Sequence, residues 1–326
     1  MAVYTEVSQS ALADHLRAFD LGAPRELRGI AQGVENSNYL LTADAGRFIL
    51  TLYEKRVAAE DLPYFLGLME HLAASGIPCP TPVHARDGSV LATLCGRPSA
   101  IVTFLSGTSL ARPTPMHCHE VGRALAALHL AGQHYRGHRA NDLGVRAWRP
   151  LFLRCGPAAA IESVVPGLAG EIGEELAQFD AAWPSDLPSG VIHADLFPDN
   201  VFFQGDRVSG VIDFYFACND QLAYDLAIAM NAWCFEVDGQ FNVTKARQLL
   251  SGYQAVRALQ ADEVRALPLL ARGAAMRFLL TRLYDWLHRV DGALVTPKDP
   301  REYLHILRFH RGLDGPGAYG LDVPAA

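Results

Sequence analysis

One change of period does most to limit what this chain can fold into. Up to about residue 105 short β-rich runs stand between two helical stretches; beyond it the apolar residues recur mostly at helical spacing. Residues 38–42 and 47–53 flank Asp44-Ala45-Gly46 and predict a β-hairpin with a glycine turn. A short amphipathic helix over 10–20, stopping at Gly22, precedes it, and a helix over 60–75, stopped by Pro78-Cys79-Pro80, follows. Short strands are expected around Asp87-Gly88 and over 100–105. From there helices are expected over 116–131, 222–235, 244–258 and 262–290, interrupted by two β-rich runs at 190–193 and 208–215. A small β-rich segment followed by a larger helical one is an α+β, bilobal plan, with domains 1–105 and 106–326 and ligand chemistry expected at the junction.

Composition narrows the function classes. Half of the 326 residues are hydrophobic, enough to bury a sizeable core and to exclude a disordered chain. The net charge of −7 argues against a nucleic-acid binder, which needs a basic stripe. The six cysteines are scattered and form no CxxC pair, so zinc and redox motifs have no support and reduced, buried thiols are expected. The N-terminus lacks an export signal. Arg277 and Arg282 break the best candidate membrane stretch, near 274–287, short of the ~18 apolar residues a span requires. A cytoplasmic enzyme without membrane or nucleic-acid partners is the expectation.

The run of residues 191–200, V-I-H-A-D-L-F-P-D-N, followed by G-V-I-D-F-Y at 210–215, carries the chemistry. Phosphoryl transfer from a nucleotide needs a carboxylate to orient and deprotonate a hydroxyl, and Asp195 is placed for it. It also needs oxygen ligands for Mg²⁺, a hard ion that takes a few protein oxygens and completes its shell with phosphate and water. Asn200 and Asp213 are the candidates. His193 reads as a buried brace for the loop rather than a proton carrier.

These motifs resemble the aminoglycoside phosphotransferase and choline kinase group, whose fold is protein-kinase-like. The resemblance implies Asp195 as catalytic base and Asn200 with Asp213 as Mg²⁺ ligands. Leu125–His129 and Ala223-Tyr-Asp225 fit the same group, with Asp225 bracing the catalytic loop. Over nearly the whole chain, the stretches 33–38, 48–56, 61–63, 231–236 and 277–285 together resemble the homoserine kinases of that group. The implied reaction is ATP-dependent phosphorylation of L-homoserine, a step of threonine biosynthesis.

That resemblance implies further roles. Gly33, Asn36, Ser37 and Asn38 stand where a kinase places its phosphate-covering loop, with two glycines (Gly29 and Gly33) rather than three. Thr51 stands at the place of the kinase phosphate-binding lysine, with Lys55 and Arg56 shortly after it and Glu60 and Glu70 as candidate partners. Thr103 and Leu105 are expected beside adenine. A zwitterionic acceptor needs a cation for its carboxylate and an acid for its ammonium. Arg277 and Arg282 are candidates for the first, Asp220 and Glu236 for the second. Arg282 and Arg289 also have Asp285 within helical reach. Rival readings are another small-molecule kinase of the same fold, with Phe197, Phe214 and Tyr215 as a possible cage for choline; a non-catalytic nucleotide-binding module; and a metal-dependent hydrolase.

Overall fold

A computed structural model of the chain describes residues 4–30, 36–54, 58–289 and 297–321. They fall into two compact units. The first groups Met1–Gly107 with Tyr135–Arg139 and Ser209–Tyr215; the second comprises Thr108–His134, Ala140–Val208 and Phe216–Ala326. The first unit therefore draws in two short stretches from beyond residue 105, and the later one carries Asp213.

In the first unit, α1 (Gln9–Leu16) starts at Ser8, whose side chain accepts the N–H of Ala11. It ends earlier than the apolar spacing predicts, because Phe19 and Leu21 pack into the core from irregular backbone. Gly22 then turns the chain at φ +73, where a Cβ would lie 2.5 Å from that of Asp44. Strands β1 (Pro24–Gly29), β2 (Ser37–Ala43) and β3 (Gly46–Leu52), helix α2 (Leu62–Ala74), and strands β4 (Ala92–Leu94) and β5 (Arg97–Thr103) follow. They build a five-stranded sheet in the order β1-β2-β3-β5-β4. The expected hairpin is β2–β3, with Ala43 opposite Gly46. Strand β1 has no counterpart in the sequence reading: as an edge strand, P-R-E-L-R-G, it buries none of its residues fully and shows no apolar alternation. The strand expected at 87–88 is instead a turn, closed by the Asp87 carboxylate accepting the N–H and hydroxyl of Ser89; the strand comes later, as β4. Leu41, Leu50, Leu52 and Ile101 of the sheet pack with Leu12, Leu16 and Phe19.

The second unit contains α3 (Pro115–Gly132), α4 (Val145–Arg154), α5 (Ala158–Glu162) and α6 (Leu168–Ala182). After them come β6 (Ser189–Ile192), β7 (Val201–Gln204), β8 (Arg207–Val211, which runs on into the first unit) and β9 (Cys218–Gln221). Helices α7 (Leu222–Trp233), α8 (Val243–Gln254), α9 (Ala261–Leu287) and α10 (Pro300–Arg311) complete it. β6 pairs antiparallel with β9, and β7 with β8 forms a hairpin. Helix α7 is buried on nearly every side, as a helix apolar all round must be. Asn231 on it donates to Ala271 of α9 and accepts from His310 of α10, so one amide ties three helices. The chain is mixed α+β. No described helix is long and apolar enough to cross a membrane.

Candidate active site

Strand β6 carries the chain into the interior at Val191 and Ile192, both buried, and releases it into the loop that begins at His193. His193 is itself buried, and its Nδ1 accepts the N–H of Asp195 at 3.2 Å. Between them Ala194 takes φ +63, a left-handed conformation that a residue with a Cβ adopts only when its surroundings enforce it. The loop then folds tightly onto itself. The N–H of Phe197 donates to the Asp195 carbonyl at 2.8 Å, and a single 3-10 turn at Pro198–Asn200 brings Asn200 back to the same residue. Its Nδ2 donates to the Asp195 carbonyl at 2.8 Å and to the carboxylate Oδ2 at 3.2 Å. Burial raises the Asp195 pKa above its ordinary value; the charges of Arg277, His193 and Lys298 and the Asn200 hydrogen bond pull the other way.

Asp225, in the first turn of α7, holds the loop from beneath. Its Oδ2 accepts the N–H of His193 at 2.7 Å and its Oδ1 that of Ala194 at 2.8 Å. Burial opposes its charge, yet the His129 hydrogen bond and the N–H of His193 outweigh it and hold the carboxyl below its ordinary range. His129 Nε2 lies 3.0 Å from Asp225 Oδ2, and His129 Nδ1 lies 2.7 Å from the Tyr253 hydroxyl. That hydroxyl accepts from Arg257, whose guanidinium grips the buried Glu263 with two bonds. Tyr253, Arg257 and Glu263 were not foreseen from the sequence, where each reads as an ordinary residue of a polar helix face.

In the first unit, Asp213 is exposed just past the end of β8, at φ +66. Phe214 after it is buried, and Tyr215 lies against Tyr53, hydroxyl to hydroxyl at 3.0 Å, and edge-on to Phe65. Burial pushes the Tyr215 phenol up to about 12, so it remains a donor. In the second unit Phe197 sits edge-on to Phe278, with Lys298 Nζ 5.5 Å from the centre of its ring.

The residues expected around phosphate are unevenly placed. Gly33, Lys55 and Arg56 lie outside the described residues. The Ser37 hydroxyl is saturated: it accepts the N–H groups of Tyr4 and Thr5 and donates to Glu54. Asn36 is buried, with its Oδ1 accepting the N–H of Glu54. These two side chains therefore hold the start of the chain and the end of β3 together. Thr51 faces Asn38 across β2–β3 and donates to its Oδ1 at 2.8 Å. Thr103 exchanges both main-chain and side-chain bonds with Thr81, and Leu105 lies just beyond the end of β5. Glu70 pairs with His84 on the surface, and Glu60 is exposed.

All four acceptor-binding candidates have hydrogen-bond partners within the chain. Arg282 pairs with Glu302 of α10 at 2.6 Å and lies over the Tyr303 ring, so its charge is already met from another helix. Glu236 is met by Lys245 at 2.7 Å and by Asn242, which together hold its carboxyl below the usual range. Asp220 accepts from Asn141 on one oxygen and from the N–H of Gln221 on the other. Arg277 is 2% exposed and donates to the Ala194 carbonyl.

A metal would have to be held by oxygens. Among the described residues no three His, Cys, Asp or Glu side chains cluster in a way that could bind one. The Asn200 amide gives its nitrogen to Asp195, which leaves its Oδ1 for a cation. An amide oxygen and a carboxylate, completed by phosphate oxygens and water, is a donor set that fits Mg²⁺.

The profile of the phosphotransferase enzyme family matches residues 26–259. A homoserine kinase of Azorhizobium caulinodans is 61% identical over 321 residues, 98% of this chain and 99% of that protein. A homoserine kinase of Rhodospirillum rubrum is 62% identical over the same length and coverage. Among solved structures, an amicoumacin kinase in complex with AMP-PNP and Ca²⁺ shares the fold with a TM-score of 0.68 at 16% identity, covering 93% of this chain and 92% of its own. With such identity along nearly its full length, the chain belongs to the phosphotransferase enzyme family and, within it, to the homoserine kinases.

Proposed function

We infer that the chain transfers the γ-phosphoryl group of ATP to the hydroxyl of L-homoserine, yielding O-phospho-L-homoserine. The observation that carries this reading is the Asp195–Asn200 pair on a left-handed loop anchored by Asp225, in a chain about three-fifths identical to homoserine kinases. Asp195 orients the acceptor hydroxyl and takes its proton. Asn200 fixes the carboxylate rotamer and, with Asp213, is the ligand set for Mg²⁺, which when bound neutralises phosphate charge. The first unit supplies nucleotide contacts, with Asn38, Thr51, Thr103 and the main chain at Leu105 as the residues assigned; the second supplies the base. The six cysteines, all free thiols, suit a reducing cytoplasm.

The test is a coupled assay with ATP and L-homoserine, choline or kanamycin. Turnover is expected with homoserine; a clear preference for either other acceptor sinks the assignment. Asp195→Asn should keep the fold and nucleotide binding and lower kcat by roughly 10²–10⁴-fold. Near-normal turnover in that variant would remove Asp195 from the role of base.

A further inference from the structure

Arg277 is the least expected side chain in the second unit. It sits within the buried stretch of α9, and burying a guanidinium is costly unless something specific meets the charge. Arg282, one turn on, has its carboxylate. Arg277 touches no carboxylate, although Asp195 feels its charge: among the described residues its one hydrogen-bond acceptor is the carbonyl of Ala194, and its Nε is buried without a partner. Its guanidinium carbon lies 4.5 Å from the centre of the Phe278 ring and 5.5 Å from that of Phe216, so the cation is walled in by aromatic rings. A side chain serving helix packing alone would be met there by Met or Leu.

What Arg277 touches is the strained residue itself. Ala194, at φ +63, offers its N–H to the buried carboxylate of Asp225 and its C=O to the buried guanidinium of Arg277. Both polar groups of the left-handed residue are thus held by ionised side chains of opposite sign, each matched to the group it meets. The next residue along is Asp195.

We propose that Arg277 is a positioning residue for phosphoryl transfer: it pins the Ala194 carbonyl so that the left-handed turn presents Asp195, and it does not bind the acceptor's carboxylate. The proposal rests on the reading of Asp195 as the residue that meets the acceptor hydroxyl. A misplaced carboxylate slows the chemical step without weakening substrate binding, whereas a lost carboxylate ligand weakens homoserine binding first.

The full-length chain carrying Arg277→Gln should lose about 10–100-fold in kcat, with KM for homoserine and ATP changed by less than about threefold. Arg277→Lys, which keeps a cationic donor without the guanidinium fork, should recover only part of that loss and stay several-fold below the parent in kcat. Glycine adopts φ +63 without strain, so Arg277→Gln in an Ala194→Gly background should lose several-fold less than in the parent. The proposal is overturned if Arg277→Gln raises the homoserine KM about tenfold or more at unchanged kcat, or abolishes the preference for homoserine over 3-aminopropan-1-ol, which lacks the carboxylate. It is equally overturned if the variant turns over like the parent, or if the Ala194→Gly background makes no difference. Should Arg277→Gln not fold, Arg277→Lys decides: a kcat loss at constant KM supports positioning, and a raised homoserine KM or unchanged kinetics overturns it. The parent enzyme and Asp195→Asn, assayed alongside, report separately on the underlying reading, since inactivity of the parent or full activity of Asp195→Asn defeats that reading rather than this one.

Discussion

Asp225 carries three hydrogen bonds on two oxygens, with no exposure to water to replace any of them. Its charge is stabilised in place by the His129 hydrogen bond and the N–H groups it accepts, which is how a buried carboxylate stays ionised. Asp225→Asn is nearly isosteric but turns two acceptor faces into one acceptor and one donor. The amide N–H₂ must then face the N–H of either His193 or Ala194. A stability loss of about 3–5 kcal/mol, the scale for breaking a buried charged network, is expected, together with at least a tenfold fall in kcat. Denaturant melts and steady-state rates check both, and a variant that melts like the parent would show that the loop does not lean on this carboxylate. At this scale the sequence is readable where partners are close along the chain. Asp195 and Asn200 lie within one short run, and they are hydrogen-bonded. It is unreadable where the partner is a main-chain carbonyl 83 positions away, as for Arg277, because a carbonyl has no letter.

Elements meet through positions that sequence periodicity does not mark. Helices α3 and α8 approach backbone to backbone: a Cβ on Gly122 would lie 2.0 Å from the Leu249 carbonyl oxygen, and one on Gly252 2.0 Å from that of His119. The close approach seats Tyr253, the neighbour of Gly252, with its hydroxyl 2.7 Å from His129 and so behind the Asp225 network. Main chain cannot yield as a flexible side chain can. Gly252→Ala should therefore force α8 outward and destabilise by about 2–4 kcal/mol, more than the usual overpacking cost. Activity in the folded fraction should also fall, since Tyr253 moves with the helix. Calorimetry settles it: an unchanged melting temperature would show that the two helices have slack. In a single sequence, two glycines 130 positions apart look like weak points in amphipathic helices rather than a matched contact. The same blindness hides β1, whose charges belong to a sheet edge, whereas β2 and β3 are plain from their apolar runs on either side of a glycine turn.

For the molecule as a whole, acid stability should be limited by a histidine remote in sequence from the catalytic loop. His310 of α10 is buried and neutral: its Nε2 lies 2.7 Å from Asn231 Oδ1, to which it donates, and its Nδ1 lies 2.8 Å from the Tyr319 hydroxyl, from which it accepts. Both ring nitrogens are satisfied only in this one tautomer, and burial pushes the pKa from 6.5 down to about 3. The unfolded chain takes up a proton near pH 6.5 that the folded chain refuses until about pH 3. The contribution is therefore fully present above pH 6.5 and is lost as the pH falls through the window between those values, at up to about 1.4 kcal/mol per pH unit. His310→Gln can donate to Asn231 and accept from Tyr319 without titrating. Unfolding free energies of the parent, measured in urea between neutral pH and about pH 4, should fall more steeply than those of His310→Gln by roughly that slope. Because the comparison subtracts every other titrating group, parallel curves for the two proteins would show that His310 accepts its proton in the folded state, and that the helices joined through Asn231 tolerate the charge.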